Sequence, residues 1–407
     1  MVDRRFCKPP GMGPVPNCVS GGRDYNPWPM DTAHRLLRDL VAIDSVNPTL
    51  VAGAAGEAAV ARRLVQEFEA MGAAVELQEA APGRPNVVAT LEGRAPGRSL
   101  MLCGHIDTVG VAGMTAPFTP VERNGRLHGR GAQDMKSGVA AMVDAVRAVI
   151  DGGGLAAGRV IVACVVDEEH SSIGADALVT RWRADAGVVT EPTDLDIAVA
   201  HKGFEWSEIE TLGRAAHGSR PADGIDAIVH MGRVLGELET LDRGLQAGRR
   251  HPRLGAASLH ASTIAGGREL SSYPDHCTVQ VERRTLPGEP EGALAREVTA
   301  ILARLADADP AFSAHARPLF ARPPYEIDGG HPLPALLTTA ARGAGCRADT
   351  IGMSFWTDAA ILGAAGIPSV LFGPTGAGLH GVDEWVDLQS VQQCRDALVT
   401  LVRAWCI

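Results

Sequence analysis

Four short, almost wholly apolar runs constrain this chain more than any other feature. They fall at 86–93 ("NVVATLEG"), 99–109 ("SLMLCGHIDTV"), 159–169 ("RVIVACVVDEE") and 186–192 ("AGVVTEP"), each closed by glycine, proline or acidic residues. Segments 32–44, 56–71 and 137–150 instead space their apolar residues three and four apart, as helices do. Continuous apolar strands alternating with amphipathic helices need a sheet covered on both faces, so the fold class is α/β. In such sheets ligands bind beyond the carboxyl ends of the strands. His105, Asp107, Glu168, Glu169 and Glu191 all lie there.

The middle of the chain reads differently. Strands at 198–212, 257–265, 277–286 and 312–320, with helices at 223–242 and 292–306, follow the order βαββαβ of a ferredoxin-like unit. The α/β pattern resumes afterwards, with helices near 333–343, 357–364 and 388–405 and a strand in "PSVLFGP". A length of 407 residues with 45% apolar content supports two cores. The expected organisation is a catalytic α/β domain with a mixed sheet between helices, in parts 30–197 and 317–407, interrupted by an inserted domain at 198–316. Residues 1–29, rich in proline and glycine, are expected to be disordered or loosely docked, with Met30 a candidate start.

Charge and composition narrow the partners. A net charge of -10 without a Lys/Arg block argues against nucleic acid and anionic membranes. No apolar run is long enough for a membrane span or a signal peptide, so a cytoplasmic protein acting on a small molecule is expected. The eight cysteines form no CxxC pair and read as structural thiols.

On an extended segment His105 and Asp107 face the same side, and a carboxylate there can fix the tautomer of a metal-bound imidazole. That pair alone is a weak signal and fits a core histidine better. Asp134, however, lies on a glycine-rich loop before a helix, as ligand or N-cap. Glu168 and Glu169 close one buried strand and Glu191 the next, and "FGPTGAGLHG" delivers His380 from far along the chain. Two histidines and several carboxylates at strand ends have the composition of a di-metal hydrolytic site, suited to zinc, with cobalt or manganese as alternatives. There is no HExxH, Walker A or GxSxG motif, and "GAGLHG" lacks the context of a dinucleotide fingerprint.

In this order, "GHIDTV", "GRGAQDMKSG", "DEEHSSIGA", "TEPTDLDIAVAHKG", "AAHGSRPADGIDAI", "VERRTLPGE", "TDAAIL" and "FGPTGAGLHGVDEWV" resemble the di-zinc family of acetylornithine deacetylase, succinyl-diaminopimelate desuccinylase, aminoacylase and glutamate carboxypeptidase, from residue 32 to 407. The resemblance implies a metallo-exopeptidase-like catalytic domain and two divalent ions bridged by Asp134, with His105 and Glu191 completing one site and Glu169 and His380 the other. It implies Asp107 as the carboxylate behind His105, Glu168 as general base, and a cis peptide bond between Asp134 and Met135. The inserted domain would be a lid and dimerisation domain, whose His217 reaches the partner subunit's site to hold an oxyanion. Arg284 would contact a substrate carboxylate, with Ser271 and Gly376 also at the substrate.

Departures from the pattern bear on specificity. Ser271 stands where the family often has asparagine, and Phe355 and Trp356 stand where small residues are common. Those two rings are either an apolar wall for substrate or part of the core. His170, His201 and His276 are read as structural, and Lys202 as a hinge residue or a surface cation. The expected activity is hydrolysis of an N-acyl amino acid, closest to acetylornithine deacetylase. The alternative is an exopeptidase acting on dipeptides or a C-terminal glutamate; a silent binding protein is the remote third reading.

Overall fold

The computed structural model describes residues 32–407. The expectations for residues 1–29 and Met30, like Cys7 and Cys18, lie outside them.

Alternation within single strands creates two cores. In the strand Ser99–His105, Leu100 and Leu102 pack on one face of the main sheet while Met101 and Cys103 pack on the other. In Arg159–Val165, Val160, Val162 and Cys164 join the first core, and Ile161, Ala163 and Val165 the second. Successive side chains of a strand point to opposite faces, so such runs persist only between two layers of helices. Helices Thr32–Val41, Ala58–Ala70, Lys136–Asp151, Leu333–Gly343 and Leu388–Trp405 supply one layer. Ile173–Arg181 and Ala359–Ala364 supply the other.

The main sheet has nine strands. Ser99–His105 runs parallel to Arg159–Val165 on one side and to Ala186–Val189 on the other, and Ser369–Leu371 runs parallel to Ala186–Val189. Four parallel strands therefore end at the same edge. The loops carrying Glu168 and Glu169, Glu191, and ultimately His380 leave from that edge beside His105.

The inserted domain is a four-stranded antiparallel sheet, Ser258–Gly266, His276–Thr285, Gly203–Leu212 and Ser313–Arg322 in spatial order. Helices Ala227–Ala247 and Ala293–Ala308 cover one face through Met231, Val234, Leu294 and Val298. This is the expected βαββαβ unit.

Its limits differ from those expected. The segment 198–212, read as one strand, is two: Ile197–His201 belongs to the main sheet and Gly203–Leu212 to the inserted one. The chain crosses at Lys202, and it returns through Pro323 and Pro324 after Arg322. Boundaries at 198 and 316 thus each cut a strand. A Cβ on Gly203 would lie 2.4 Å from the Pro324 nitrogen, so the two crossings touch at a glycine. The sequence pattern runs on through Lys202 because both strands are apolar there, and only the change of sheet separates them.

Among the elements without a clear sequence pattern are the edge strand Ala74–Ala81, the helix Ile173–Arg181, and a small sheet of Gly376–Ala377, Trp385–Asp387, Arg126–His128 and Val121–Arg123. The last has strands of two or three residues, too short for any period to show. The six described cysteines are buried and unpaired, as structural thiols should be.

Candidate metal centre

His105 closes its strand, and the backbone turning away after it sets the neighbours of the ring. Its Nδ1 lies 3.1 Å from the carbonyl oxygen of Asp107 and 3.5 Å from the Asp107 carboxylate. The strand ends at His105, so the two residues do not share an extended segment, and the Asp107 backbone carbonyl lies nearer the ring than its carboxylate does. The carboxylate is occupied elsewhere. It accepts hydrogen bonds from Asn47 Nδ2 at 2.8 Å and from the backbone N–H groups of Glu168 and Glu169 at 3.1 and 3.2 Å. Asp107 therefore ties the end of one parallel strand to the turn that carries the two glutamates.

That turn is sharp because Asp167 adopts a left-handed conformation, with φ of 69°. Its carboxylate accepts from Ser171 Oγ at 2.6 Å and Asn47 Nδ2 at 3.0 Å and pairs with Arg84 at 2.8 Å. Glu168 and Glu169 consequently diverge, from a turn rather than from an extended strand. Glu168 Oε2 lies 3.9 Å from His105 Nε2, whereas Glu169 Oε2 lies 3.0 Å from His380 Nε2.

Asp134 stands between the two histidines. Its Oδ1 is 3.1 Å from His105 Nε2 and its Oδ2 is 3.3 Å from His380 Nε2. Asp134 is not a helix cap: the following helix has Met135 at that position and no side-chain cap bond. The Asp134–Met135 peptide bond is cis. Lys136, next in the chain, is fully buried and donates to the carbonyls of Leu40 and Ile43, both at 2.9 Å. Glu191 Oε1 approaches His105 Nε2 at 3.9 Å.

The small third sheet brings His380 here. Trp385 pairs with His128, so the loop before Trp385, which carries His380, lies against the loop after His128, which carries Asp134. Gly376 belongs to this sheet, paired with Val386, and a Cβ there would meet the Trp385 carbonyl oxygen at 2.4 Å and Gln133 Cγ at 2.9 Å. Glu384, which sequence reasoning misses, locks the two loops together. It accepts from Arg130 Nη1 at 2.7 Å and from the backbone N–H groups of Gly131, Gln133 and Asp134 at 3.0, 2.8 and 3.1 Å. Its only sequence signal is its place in "HGVDEW", four residues beyond His380.

The electrostatics call for positive charge. Burial, reinforced by Glu191 and Asp358 against the opposing pull of His105, pushes the Glu168 carboxyl well above the usual range. Glu191 is raised in the same way, and Glu169, buried beside Asp134, is pushed up to about 7. Asp358, also missed by sequence reasoning, is buried behind them and pushed up to about 7. Hydrogen bonds with Asp134 and Glu169 lift His380 to about 10. For Asp134, burial opposes ionisation, but hydrogen bonds to His105 and His380 hold it well below the usual range. Buried carboxylates crowded in this way are stable as anions only when cations face them.

The donors fit that requirement. His105, Glu168 and Glu191 offer ligand atoms within 4.8 Å of one another, as do His105, Asp134 and Glu169. Glu169 Oε1 is buried with no hydrogen-bond partner, an acceptor a cation would satisfy. Imidazole with carboxylate is a donor set for zinc, cobalt or manganese.

The remaining candidates divide between the cleft over the cluster and the inserted domain. Phe355 and Trp356, with Pro192 and Leu379, line a cleft of about 180 Å³ over the cluster. Trp356 is also 9% exposed and packs on Phe204 and Ala360, so it is both wall and core. His217 is exposed on the inserted domain, its Nδ1 2.8 Å from Ser219 Oγ, and bridges to Ser272 next to Ser271, whose carbonyl accepts from Gly218. Arg284 sits on the inserted sheet with its Nε donating to Glu282 at 2.6 Å. None of His217, Ser271 and Arg284 lines the cleft. His170 is exposed and His276 pairs with Asp275 at 3.3 Å. Lys202, at the crossing, donates to the Ala256 carbonyl.

A carboxylate and imidazole cluster at the carboxyl edge of a mixed sheet, beside an inserted antiparallel domain, has the donor set of a metal-dependent hydrolase. Residues 101–404 match peptidase family M20/M25/M40, and the chain belongs to that family. It is 31% identical over 356 residues to acetylornithine deacetylase of Myxococcus xanthus, covering 83% of this chain and 90% of the relative. To N-formyl-4-amino-5-aminomethyl-2-methylpyrimidine deformylase of Bacillus subtilis it is 28% identical, over 83% of this chain and 86% of the relative. Among solved structures, a tripeptidase of Staphylococcus aureus superposes with a TM-score of 0.78 at 22% identity, over 92% of this chain and 98% of that one. A dinuclear metal-binding peptidase of Bacillus subtilis gives 0.68 at 18% identity, over 92% and 98%. At those identities the structures speak for the fold.

Proposed function

We propose that this chain removes the acyl group from an N-acyl amino acid by amide hydrolysis. The observation that carries this reading is Asp134, whose two oxygens face His105 and His380 at 3.1 and 3.3 Å while Glu168 and Glu169 splay to opposite sides. His105 and Glu191 would hold one divalent ion, Glu169 and His380 a second, and Asp134 both, with zinc as the fitting metal. Such ions, when bound, polarise the amide carbonyl and acidify water. Glu168, with its carboxyl raised by burial, takes the proton of the attacking water and passes it to the leaving amine. Glu168 can serve this way because Asp107 holds its backbone while its side chain remains in the cleft.

The inserted domain would act as lid and dimerisation domain. Its edge strand Ser258–Gly266 is exposed along most of its length, including Ile264, and offers a pairing edge to a second copy. His217, exposed on this domain, would then stabilise the oxyanion in the partner's site, and Arg284 would meet the substrate carboxylate. Buried unpaired thiols support a reducing, cytoplasmic setting. No helix among the described residues is long and apolar enough to cross a membrane.

The relatives named as acetylornithine deacetylases favour deacylation over peptidase action. Hydrolysis of a panel of N-acetyl amino acids and dipeptides, with and without chelator, tests it. Chelator-sensitive release of acetate supports the reading; cleavage of dipeptides alone, or activity indifferent to exhaustive metal removal, overturns it.

A further inference from the structure

The cleft above the cluster has two unlike halves. One half is Asp134, Glu168, Glu169, Glu191 and His380; the other is Pro192, Phe355, Trp356 and Leu379. Among the described residues no lysine or arginine lines it, and its carboxylates are those turned toward the candidate metal positions. An ammonium group entering the apolar half would find no carboxylate of its own, and a carboxylate no cation. A buried unpaired charge is too costly to bind productively.

The polar groups at the edge of the apolar half are turned toward protein partners or buried. Trp356 donates its indole N–H to the Pro323 carbonyl at 3.0 Å, so it has no donor left for a ligand. Arg322, whose guanidinium lies 5.5 Å from the Trp356 ring, gives its Nη atoms to Asp176 at 2.7 Å and to the Ser171 carbonyl, while its Nε is buried without a partner. Phe204 meets Trp356 edge to face at 6.1 Å and His201 does so at 6.2 Å, which fixes the indole plane. In a chain with only 4% aromatic residues, this concentration of rings beside one cleft is a built feature. The whole cleft, carboxylate half included, holds about 180 Å³, which limits the apolar half to a single compact substituent.

We propose that Phe355, Trp356, Pro192 and Leu379 form a subsite for one uncharged apolar substituent of the substrate, aromatic or branched aliphatic. The preferred substrates are then N-acyl compounds carrying such a group, rather than N-acetylornithine with its ammonium side chain. This rests on the amide-hydrolase reading and specifies it.

The test uses the full chain with its metal. Values of kcat/KM are measured for N-acetylphenylalanine, N-acetylleucine and N-benzoylglycine against N-acetylornithine and N-acetylaspartate. At least one of the first three should exceed both charged substrates by about tenfold or more. Phe355→Ala should raise KM for that substrate more than it lowers kcat, narrowing the ratio to N-acetylornithine. Leu379→Ala, on an exposed loop, should narrow the same ratio without disturbing the core. Preference for N-acetylornithine or N-acetylaspartate, or an equal loss on all substrates in both variants, overturns the subsite and leaves the hydrolase reading standing. Failure to cleave any of these amides overturns both.

Discussion

Arg130 and Glu384 form a buried ion pair at 2.7 Å, joining the loop that carries Asp134 to the loop that carries His380. Neither residue is a metal donor candidate, yet Glu384 also receives three backbone N–H groups from Gly131 to Asp134. The spacing between the two halves of the cluster is thus set behind it.

Glu384→Ala leaves Arg130 buried and unpaired, and the cost of breaking such a pair is about 3–5 kcal/mol. The variant should unfold at a lower temperature and retain less metal after dialysis. Unchanged metal content by elemental analysis would contradict this role.

Glu168→Ala should lower kcat by at least about 100-fold, the range of general acid and base catalysis, with metal content intact. Asp134→Ala should lose metal as well as activity. Side-by-side metal analysis and turnover of the two variants separates proton transfer from ligation.

His217 and Glu168 can be placed in different subunits. If His217 serves the partner's site, mixing inactive His217→Ala protein with inactive Glu168→Ala protein, under conditions that exchange subunits, should restore activity. In a mixed dimer one site then has both groups. A mixture that stays silent while exchange is demonstrated by a tag would place His217 in its own subunit's site or outside catalysis.

Acid sensitivity should have a contribution from His201. Burial lowers its pKa to about 4, against the backbone bond to Lys202, and its Nε2 has no hydrogen-bond partner. The depressed value means that the unfolded chain takes up the proton first. Stability is therefore full above the ordinary histidine pKa and falls as pH drops toward 4, by on the order of 3 kcal/mol. His201→Phe should flatten that part of the pH profile of Tm; an unaltered acid limb would assign the sensitivity to other groups.

The amino-acid sequence determined the parts that depend on near neighbours. Apolar runs such as 159–165 and three-and-four spacing such as 333–343 specify strand and helix because alternation and turn repeat within a few residues. Acids and histidines closing those strands were legible for the same reason. Tertiary structure alone decided how they meet. Lys202 divides what reads as one strand because the two halves join different sheets, and Asp107 holds the Glu168 and Glu169 backbone with the same carboxylate that faces His105. His380 reaches Asp134 through strands of two and three residues, held by Glu384. Those relations rest on close approach between segments remote in the chain, and local pattern carries no record of which remote backbone will be adjacent.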